Sequence, residues 1–125
     1  MKAKQTPEAL SPEEAEAKAL RLLGLARRAG KLSPGLDATM SQLAKGQVLL
    51  VCLAADTGDS TRRKILRAAE THNCPVHCFS NADRFGEATG SGSRAVIGVL
   101  DAGFASGLAQ ITDIWQMRRN TEKQV

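Results

Sequence analysis

The sequence predicts an α/β domain in which a central sheet is covered by helices on both faces. Short apolar runs at 48–54, 75–79 and 94–100 indicate buried strands, and the segments around them repeat apolar residues at helical spacing. Strands that alternate with helices in this way predict a largely parallel sheet between two helical layers. At 125 residues, with no visible internal repeat, the chain has the size of one domain.

A start signal and an apolar stripe predict the first helix. Ser11 is a favoured N-cap residue, Pro12 suits the first helical position, and Glu14 occupies the third. Apolar residues then recur on one stripe at helical spacing: Ala15, Ala19, Leu22, Ala26 and Ala29. We expect this helix to end near Arg28, with Gly30 as its C-terminal cap.

An extended stretch, a glycine and a long apolar run predict the next elements. Residues 31–34 are expected to be extended, and Gly35 is expected to open a second helix that ends near 45–46. The run at 48–54 is apolar at every position, which is typical of a strand buried on both faces. The second helix therefore connects a short extended segment to a fully buried strand.

A third helix is predicted to begin at a cap supplied by Asp59 or Ser60 and to extend to about Thr71. Its first half carries a dense basic cluster: Arg62, Arg63, Lys64 and Arg67. This cluster either contacts a polyanion or forms an ordinary solvated face. The solvated face is the simpler interpretation, because three adjacent helical positions cannot all point the same way. The strand at 75–79 follows this helix.

Two helices and a strand complete the predicted order. Asn81 is expected to cap a short helix through Glu87, and the polar loop at 90–93 after it is expected to be flexible. The last strand is predicted at 94–100. One apolar face with helical spacing then predicts a closing helix: Phe104, Leu108, Ile111 and Trp115.

The domain is expected to cover residues 12–119, between flexible tails at 1–11 and 120–125. Trp115 is expected either to join the core or to anchor a partner. No apolar run approaches the roughly 20 residues that cross a bilayer, and the N-terminus lacks a secretory pattern. An odd set of cysteines suits a reducing compartment: Cys52, Cys74 and Cys78. These features predict a cytoplasmic protein.

The positive charge is concentrated in the domain. The chain has a formal net charge of +4, and because residues 1–16 sum to −2, the remainder carries +6. A domain this basic favours polyanionic partners. Aromatic residues form only 3% of the chain, and Phe79 and Phe104 lie in apolar segments that indicate core positions. A nucleic-acid partner would therefore be recognised by folded shape and backbone, not by stacking of single-stranded bases on aromatic rings.

The residue pattern predicts neither a metal site nor a catalytic site. His72, Cys74, His77 and Cys78 are metal-ligand residue types, but the cysteines have the spacing Cys-x3-Cys and no second ligand pair lies at zinc spacing. Alternation along a strand would also direct His77 and Cys78 to opposite faces. No motif sets a nucleophile beside a base. We expect no metal, no cofactor and no enzymatic activity.

Four stretches, in order along the chain, resemble one known family. They are LGLARRAGKL at 23–32 followed by Gly35, LVCLAAD at 50–56, RFGEATG at 84–90 and AVIGVLDAGFA at 95–105. Together they cover about residues 20–110 and are similar to small bacterial RNA-binding proteins of the ribosomal protein L7Ae family. The resemblance implies a three-layer α/β/α sandwich of the L30e-like type with a central four-stranded mixed sheet.

The resemblance also implies a function: non-catalytic binding of structured RNA, kink-turn-like or ribosomal, with a ribosome association. In such proteins the second helix presents its N-terminus to sheared G·A pairs, and the loop before the last strand packs on a flipped nucleotide. Helix N-termini suit this role because they offer free N–H groups and a positive dipole end. With the basic cluster, the expected RNA contacts are Gly30, Lys31, Gly35, Asp37, Ser41, Asp56, Arg62, Arg63, Gly92, Ser93, Arg94 and Ala95.

Three residues depart from the family pattern. Asp37 and Ala38 stand where kink-turn binders carry Asn-Glu or similar polar residues, and Ser41 stands where they usually carry lysine. These departures favour an alternative, a protein-interaction module that keeps the fold without specific kink-turn recognition. A third interpretation is the RNA-recruiting part of a larger RNA-modification system, whose enzyme would be another subunit.

Overall fold

The computed structural model describes residues 10–123, and for residues 114–123 it describes the helical backbone alone. In chain order the elements are α1 (Pro12–Arg28), β1 (Leu32–Pro34), α2 (Leu36–Ala44), β2 (Leu50–Leu53), α3 (Asp59–Thr71), β3 (Val76–Cys78), α4 (Ala82–Thr89), β4 (Val96–Val99) and α5 (Ala102–Lys123). The predicted order of helices and strands is confirmed. The strands are shorter than the apolar runs that predicted them.

The four strands form one mixed sheet in the order β1-β4-β2-β3. Strand β4 is antiparallel to both β1 and β2, and only β2 and β3 are parallel. The mixed sheet is confirmed, whereas the largely parallel sheet expected from strand–helix alternation is wrong. The reason is the path of the chain after α4. The loop returns to the start of that helix, where the Arg94 N–H donates to the Ala82 carbonyl (3.1 Å). The last strand therefore enters the sheet from the edge at which β2 ends.

Helices cover both faces of the sheet, which gives the three-layer sandwich. Successive side chains of β2 alternate between the layers, as in any strand buried on both faces. Leu50 and Cys52 pack with α1, α4 and α5, while Val51 and Leu53 pack with α2 and α3. Phe79 and Phe85 pack against each other on the face covered by α1, α4 and α5, with ring centroids 5.1 Å apart.

The start of α1 confirms the sequence prediction and extends it. The Glu14 N–H donates to Ser11 Oγ (3.1 Å), and the Ser11 N–H donates to Glu14 Oε1 (2.9 Å), which completes a capping box. The buried stripe includes Leu23 in place of Leu22. Leu10 is only 5% exposed and belongs to the core. The expected flexible tail at 1–11 is therefore wrong for its last two residues.

Two further boundaries differ from the expectation. Helix α3 begins at Asp59 after an N-cap at Gly58, so neither Asp59 nor Ser60 is its cap. Helix α5 extends to Lys123 and includes part of the tail expected at 120–125. Residues 1–9, residues 124–125 and the side chain of Trp115 lie outside the described part of the chain. Within that part, no helix has the length and apolar character needed to cross a membrane.

Candidate functional site

Three helices begin at one edge of the sheet, which we call the helix-start edge. Pro34 at the end of β1 pairs with Ile97 of β4, and Leu53 at the end of β2 lies beside Val96 of β4 and Cys78 of β3. The carboxyl ends of three strands and the start of β4 therefore meet there. Helices α2, α3 and α4 each follow one of those strand ends, so their N-termini lie together.

Backbone hydrogen bonds bring most of the predicted site to this edge. The Gly35 N–H donates to the Val96 carbonyl (2.7 Å), and the Ala54 N–H donates to the Ala95 carbonyl (2.8 Å). The start of β4 is thus bonded to the segment before α2 on one side and to the segment after β2 on the other. The predicted residues gathered here are Gly35, Asp37, Asp56, Arg62, Gly92, Ser93, Arg94 and Ala95.

Gly30 and Lys31 lie at the opposite end of the sheet. Lys31 precedes β1, and its carbonyl accepts a hydrogen bond from the Leu100 N–H (2.9 Å), beyond the other end of β4. Three extended residues lie between Lys31 and Gly35, so the two are about 13 Å apart. The RNA contacts expected at Gly30 and Lys31 therefore lie away from those expected at Gly35 and Asp37. Gly30 is explained by the end of α1, because it follows the C-cap with φ 71°.

Among the described residues, no side chain caps the N-terminus of α2 or of α3. Each helix follows a glycine, Gly35 or Gly58, that offers no side-chain acceptor to the first turn. Helix α4 differs, because Asn81 Oδ1 accepts from the Arg84 N–H (2.9 Å) and Asp56 Oδ1 accepts from the Ala82 N–H (3.0 Å). Uncapped first turns leave backbone N–H groups and the positive dipole end available to an acceptor. Sequence reasoning missed Gly58, although a glycine directly before an acidic helix start could have indicated it.

Arg94 places its guanidinium beside the start of α2. A Cβ at Gly35 would lie 3.4 Å from Arg94 Nη1, and Gly35 also has φ 100°, which favours glycine. Among the described side chains, Arg94 Nε is buried without a hydrogen-bond partner. A buried donor without an acceptor is costly, and a ligand acceptor would satisfy it.

Carboxylates accompany this arginine at the helix-start edge. Asp37 and Asp59 are exposed in the first turns of α2 and α3. Asp56 is exposed apart from its bond to α4. These groups repel phosphate but accept from N–H donors, including base amino groups. Ser41 lies one turn after Asp37, on the same exposed face of α2.

The loop before β4 is held at several points, which contradicts the flexibility expected from its composition. The Ser91 N–H donates to the Gly86 carbonyl (2.9 Å), and Ser93 Oγ donates to the Asp83 carboxylate. A Cβ added at Gly86 would lie 2.4 Å from the Gly92 carbonyl oxygen, so the loop packs directly on α4. Gly86 is a positioning residue that the sequence prediction missed, and its only signal was a glycine inside a helix.

The basic residues of α3 separate into two groups. Arg62 is half-buried, and its Nη2 donates to the Ala55 carbonyl (3.4 Å) and lies 3.9 Å from Cys78 Sγ. It therefore ties α3 to the ends of β2 and β3. The second group is exposed on the outer side of the helix and consists of Arg63, Lys64 and Arg67.

The histidine and cysteine residues do not converge. Within the described residues, no group of three or more His, Cys, Asp or Glu side chains could hold a metal ion. His77 Nδ1 instead lies 2.6 Å from Thr112 Oγ1 and 3.6 Å from Asp113 Oδ1. Burial, with a smaller contribution from Cys74, raises the pKa of the Cys52 thiol to about 12, and burial also raises the pKa of Cys74. Both thiols therefore remain protonated near neutral pH, which makes them poor nucleophiles and metal ligands.

Sequence comparisons connect the chain with one family. The model of the ribosomal protein L7Ae/L30e/S12e/Gadd45 family matches residues 17–108. The chain is 30% identical over 92 residues to the RNA-binding protein YlxQ of Bacillus subtilis (strain 168), covering 74% of this chain and 92% of that protein. It is 34% identical over 89 residues to the RNA-binding protein YlxQ of Enterococcus faecium, covering 70% of this chain and 84% of the relative.

Solved structures share the same fold. A protein with unknown function from Bacillus halodurans C is 43% identical to this chain in sequence, with a TM-score of 0.75. The match covers 78% of this chain and 99% of that one. The Giardia lamblia 15.5kD RNA binding protein is 17% identical with a TM-score of 0.65, covering 86% and 89%. The second likeness concerns the fold alone. Both agree with an L30e-like arrangement of helices around a four-stranded mixed sheet.

Proposed function

The chain belongs to the ribosomal protein L7Ae/L30e/S12e/Gadd45 family, and we propose that it binds structured RNA without catalysing a reaction. The observation that carries this proposal is the uncapped N-terminus of α2 beside Arg94, whose Nε lacks a partner among the described residues. The uncapped N-terminus of α3 lies at the same edge of the sheet. Such a site supplies hydrogen-bond donors and positive potential to an acceptor-rich ligand. The two YlxQ relatives, named as RNA-binding proteins, support RNA as that ligand.

The helix-start edge would contact both backbone and bases. Arg94 and the first N–H groups of α2 suit a phosphate or a base acceptor, while the exposed Asp37 suits the amino group of an unpaired or distorted base. Base edges that protein groups can reach occur mainly in RNA loops, bulges and bends. The ligand would therefore be a folded RNA with an irregular segment, not a regular duplex alone.

The loop at 91–95 would pack against such an irregular RNA segment. Its bonds to α4 and its close packing on Gly86 hold it in place, so it can receive an extruded nucleotide with little ordering cost. We assign the RNA to the kink-turn-like or ribosomal class, bound in the cytoplasm in association with the ribosome. Ala38 offers no hydrogen bond to a base edge, so the contacts would differ from those of standard kink-turn binders.

Crosslinking and sequencing of RNA from cells that contain the full chain would test the proposal. Arg94→Glu reverses a charge at the helix-start edge, and Lys31→Glu makes the same charge change at the opposite end of the sheet. We expect the wild type and Lys31→Glu to recover the same structured RNA, and Arg94→Glu to lose most of it. Recovery at background level by the wild type would overturn RNA binding. Equal recovery by the two variants would overturn the assignment of the edge.

Salt dependence separates this proposal from a protein-interaction module. Binding through several phosphates releases condensed counterions, so affinity for RNA falls steeply as salt rises. A protein interface of moderate charge shows a weaker dependence. Affinity for the recovered RNA that is constant between low and physiological salt would favour the protein-interaction role.

A further inference from the structure

Helix α3 presents an exposed row of cations on its outer side. Arg63, Lys64 and Arg67 are all exposed, and with Ser60 they line a shallow depression of about 160 Å³. Residues three and four apart lie on the same side of a helix, which brings these side chains together. The rise per residue puts the row between about 6 and 12 Å from the helix-start edge.

Among the described side chains, these cations form no ion pair within 4.0 Å, although Asp59 lies four residues before Arg63 on the same helix. In the part of the chain with described side chains, the ion pairs within 4.0 Å join only His77 to Asp113 and Arg84 to Glu16. Arg63 and Arg67 are four residues apart, so the two like charges repel each other. An anionic partner on this side would relieve that repulsion.

The charges of the helix-start edge complement this row. The exposed carboxylates of Asp37 and Asp59 repel phosphate at the edge, yet any folded RNA brings its phosphates close to a protein that reads its bases. The cations on α3 lie within about three turns of the edge. Base contacts and phosphate contacts would then be made by two adjacent surfaces.

We infer that this face of α3, formed by Ser60, Arg63, Lys64 and Arg67, is a second RNA-binding surface that holds backbone phosphates of a helical RNA segment. The inference rests on the proposed function only in taking RNA as the ligand. Phosphate contacts carry no sequence information, so the surface binds any RNA helix and is independent of which irregular segment the edge reads. It adds affinity and fixes the path of the RNA.

A charge-neutralised variant of the full chain tests this surface directly. Arg63, Lys64 and Arg67 are all replaced by glutamine, as Arg63→Gln, Lys64→Gln and Arg67→Gln. The matched control replaces the exposed Lys18, Arg21 and Arg28 of α1 by glutamine, which removes the same charges from the other helical layer. The probe is a fluorescently labelled, fully paired RNA hairpin, and anisotropy gives its affinity across a salt series.

Three phosphate contacts would each contribute about 0.7–0.9 to the slope of log K against log salt. We expect the α3 variant to lose about 2 units of slope and at least about 10-fold in affinity at ~0.1 M salt, with a much smaller change in the control. Equal changes in the two variants would mean a general charge effect and would overturn the inference. So would a wild type that does not bind the hairpin.

The two proposals fail in different experiments. If the α3 variant matches the control while Arg94→Glu still loses the RNA recovered from cells, the phosphate surface is wrong and RNA binding stands. If the wild type recovers no RNA from cells but binds the hairpin with the expected slope, the proposed function fails and α3 remains an RNA-binding surface. Circular dichroism of both triple variants shows whether either has lost its fold.

Discussion

Replacement of Gly86 by alanine inserts a methyl group between α4 and the loop that leads into β4. The new Cβ would lie 2.4 Å from the Gly92 carbonyl oxygen, 2.7 Å from the carbonyl carbon of the same residue and 3.0 Å from the Ser91 carbonyl oxygen. Ordinary contacts of a Cβ begin near 3.4 Å, so the closest atom must move by about 1 Å. All three atoms are backbone atoms, which cannot yield without displacing the loop.

Whether Gly86→Ala lowers or raises the free energy of unfolding shows whether loop packing or helix propensity has the larger effect. In an exposed helix interior, glycine to alanine stabilises by about 0.5–1 kcal/mol. Overpacking in a closely packed region costs about 1–3 kcal/mol. We therefore expect Gly86→Ala to destabilise the protein by about 1–2 kcal/mol, which lowers the thermal midpoint by about 3–10 °C for a domain of this size.

Gly92→Ala is the matched control, because it adds a methyl group on the other side of the same contact. No atom lies within 4 Å of a Cβ at Gly92, and its φ does not require glycine. We expect this variant to be neutral or more stable by up to about 1 kcal/mol. Thermal and urea unfolding of both variants provides the measurement. A Gly86→Ala protein at least as stable as the wild type would refute the close packing of the loop on α4.

Three further predictions concern stability. Ser11→Ala removes the capping box and should cost about 0.5–2 kcal/mol in urea unfolding, and an unchanged midpoint would contradict the cap. Because the Cys52 pKa is about 12 when folded and 9.0 otherwise, the unfolded chain releases its proton first, and stability should fall above pH 9 by about 1.4 kcal/mol per pH unit. Unfolding at several pH values should show a smaller fall for Cys52→Ala, in which Cys74 still contributes, and parallel curves would refute the assignment. Glu16→Gln should cost about 1 kcal/mol, since Glu16 Oε2 accepts from Ser80 Oγ (2.6 Å) and Arg84 Nη1 (2.7 Å). Arg84→Gln should cost less, because that arginine is largely exposed; equal losses would contradict the ranking.

Much of the candidate site was predictable, but its assembly was not. The turn residues, the loop before β4 and the basic segment of α3 were all recognisable from the sequence. Gly86 was not, because a glycine inside a helix has the same local appearance whether or not another segment packs against it. The position of the Arg94 guanidinium beside Gly35 joins two segments that are far apart in the sequence.

The order of helices and strands, and most of the faces they bury, follow from local sequence. The capping box at Ser11, the Asn81 cap and the alternation along β2 depend on residues within a few positions, and local chemistry is enough to fix them. Only long-range packing fixes that β4 runs antiparallel between β1 and β2 and that Leu10 is buried. These features depend on which end of each strand meets its neighbour, a choice made by burial and pairing across the whole chain.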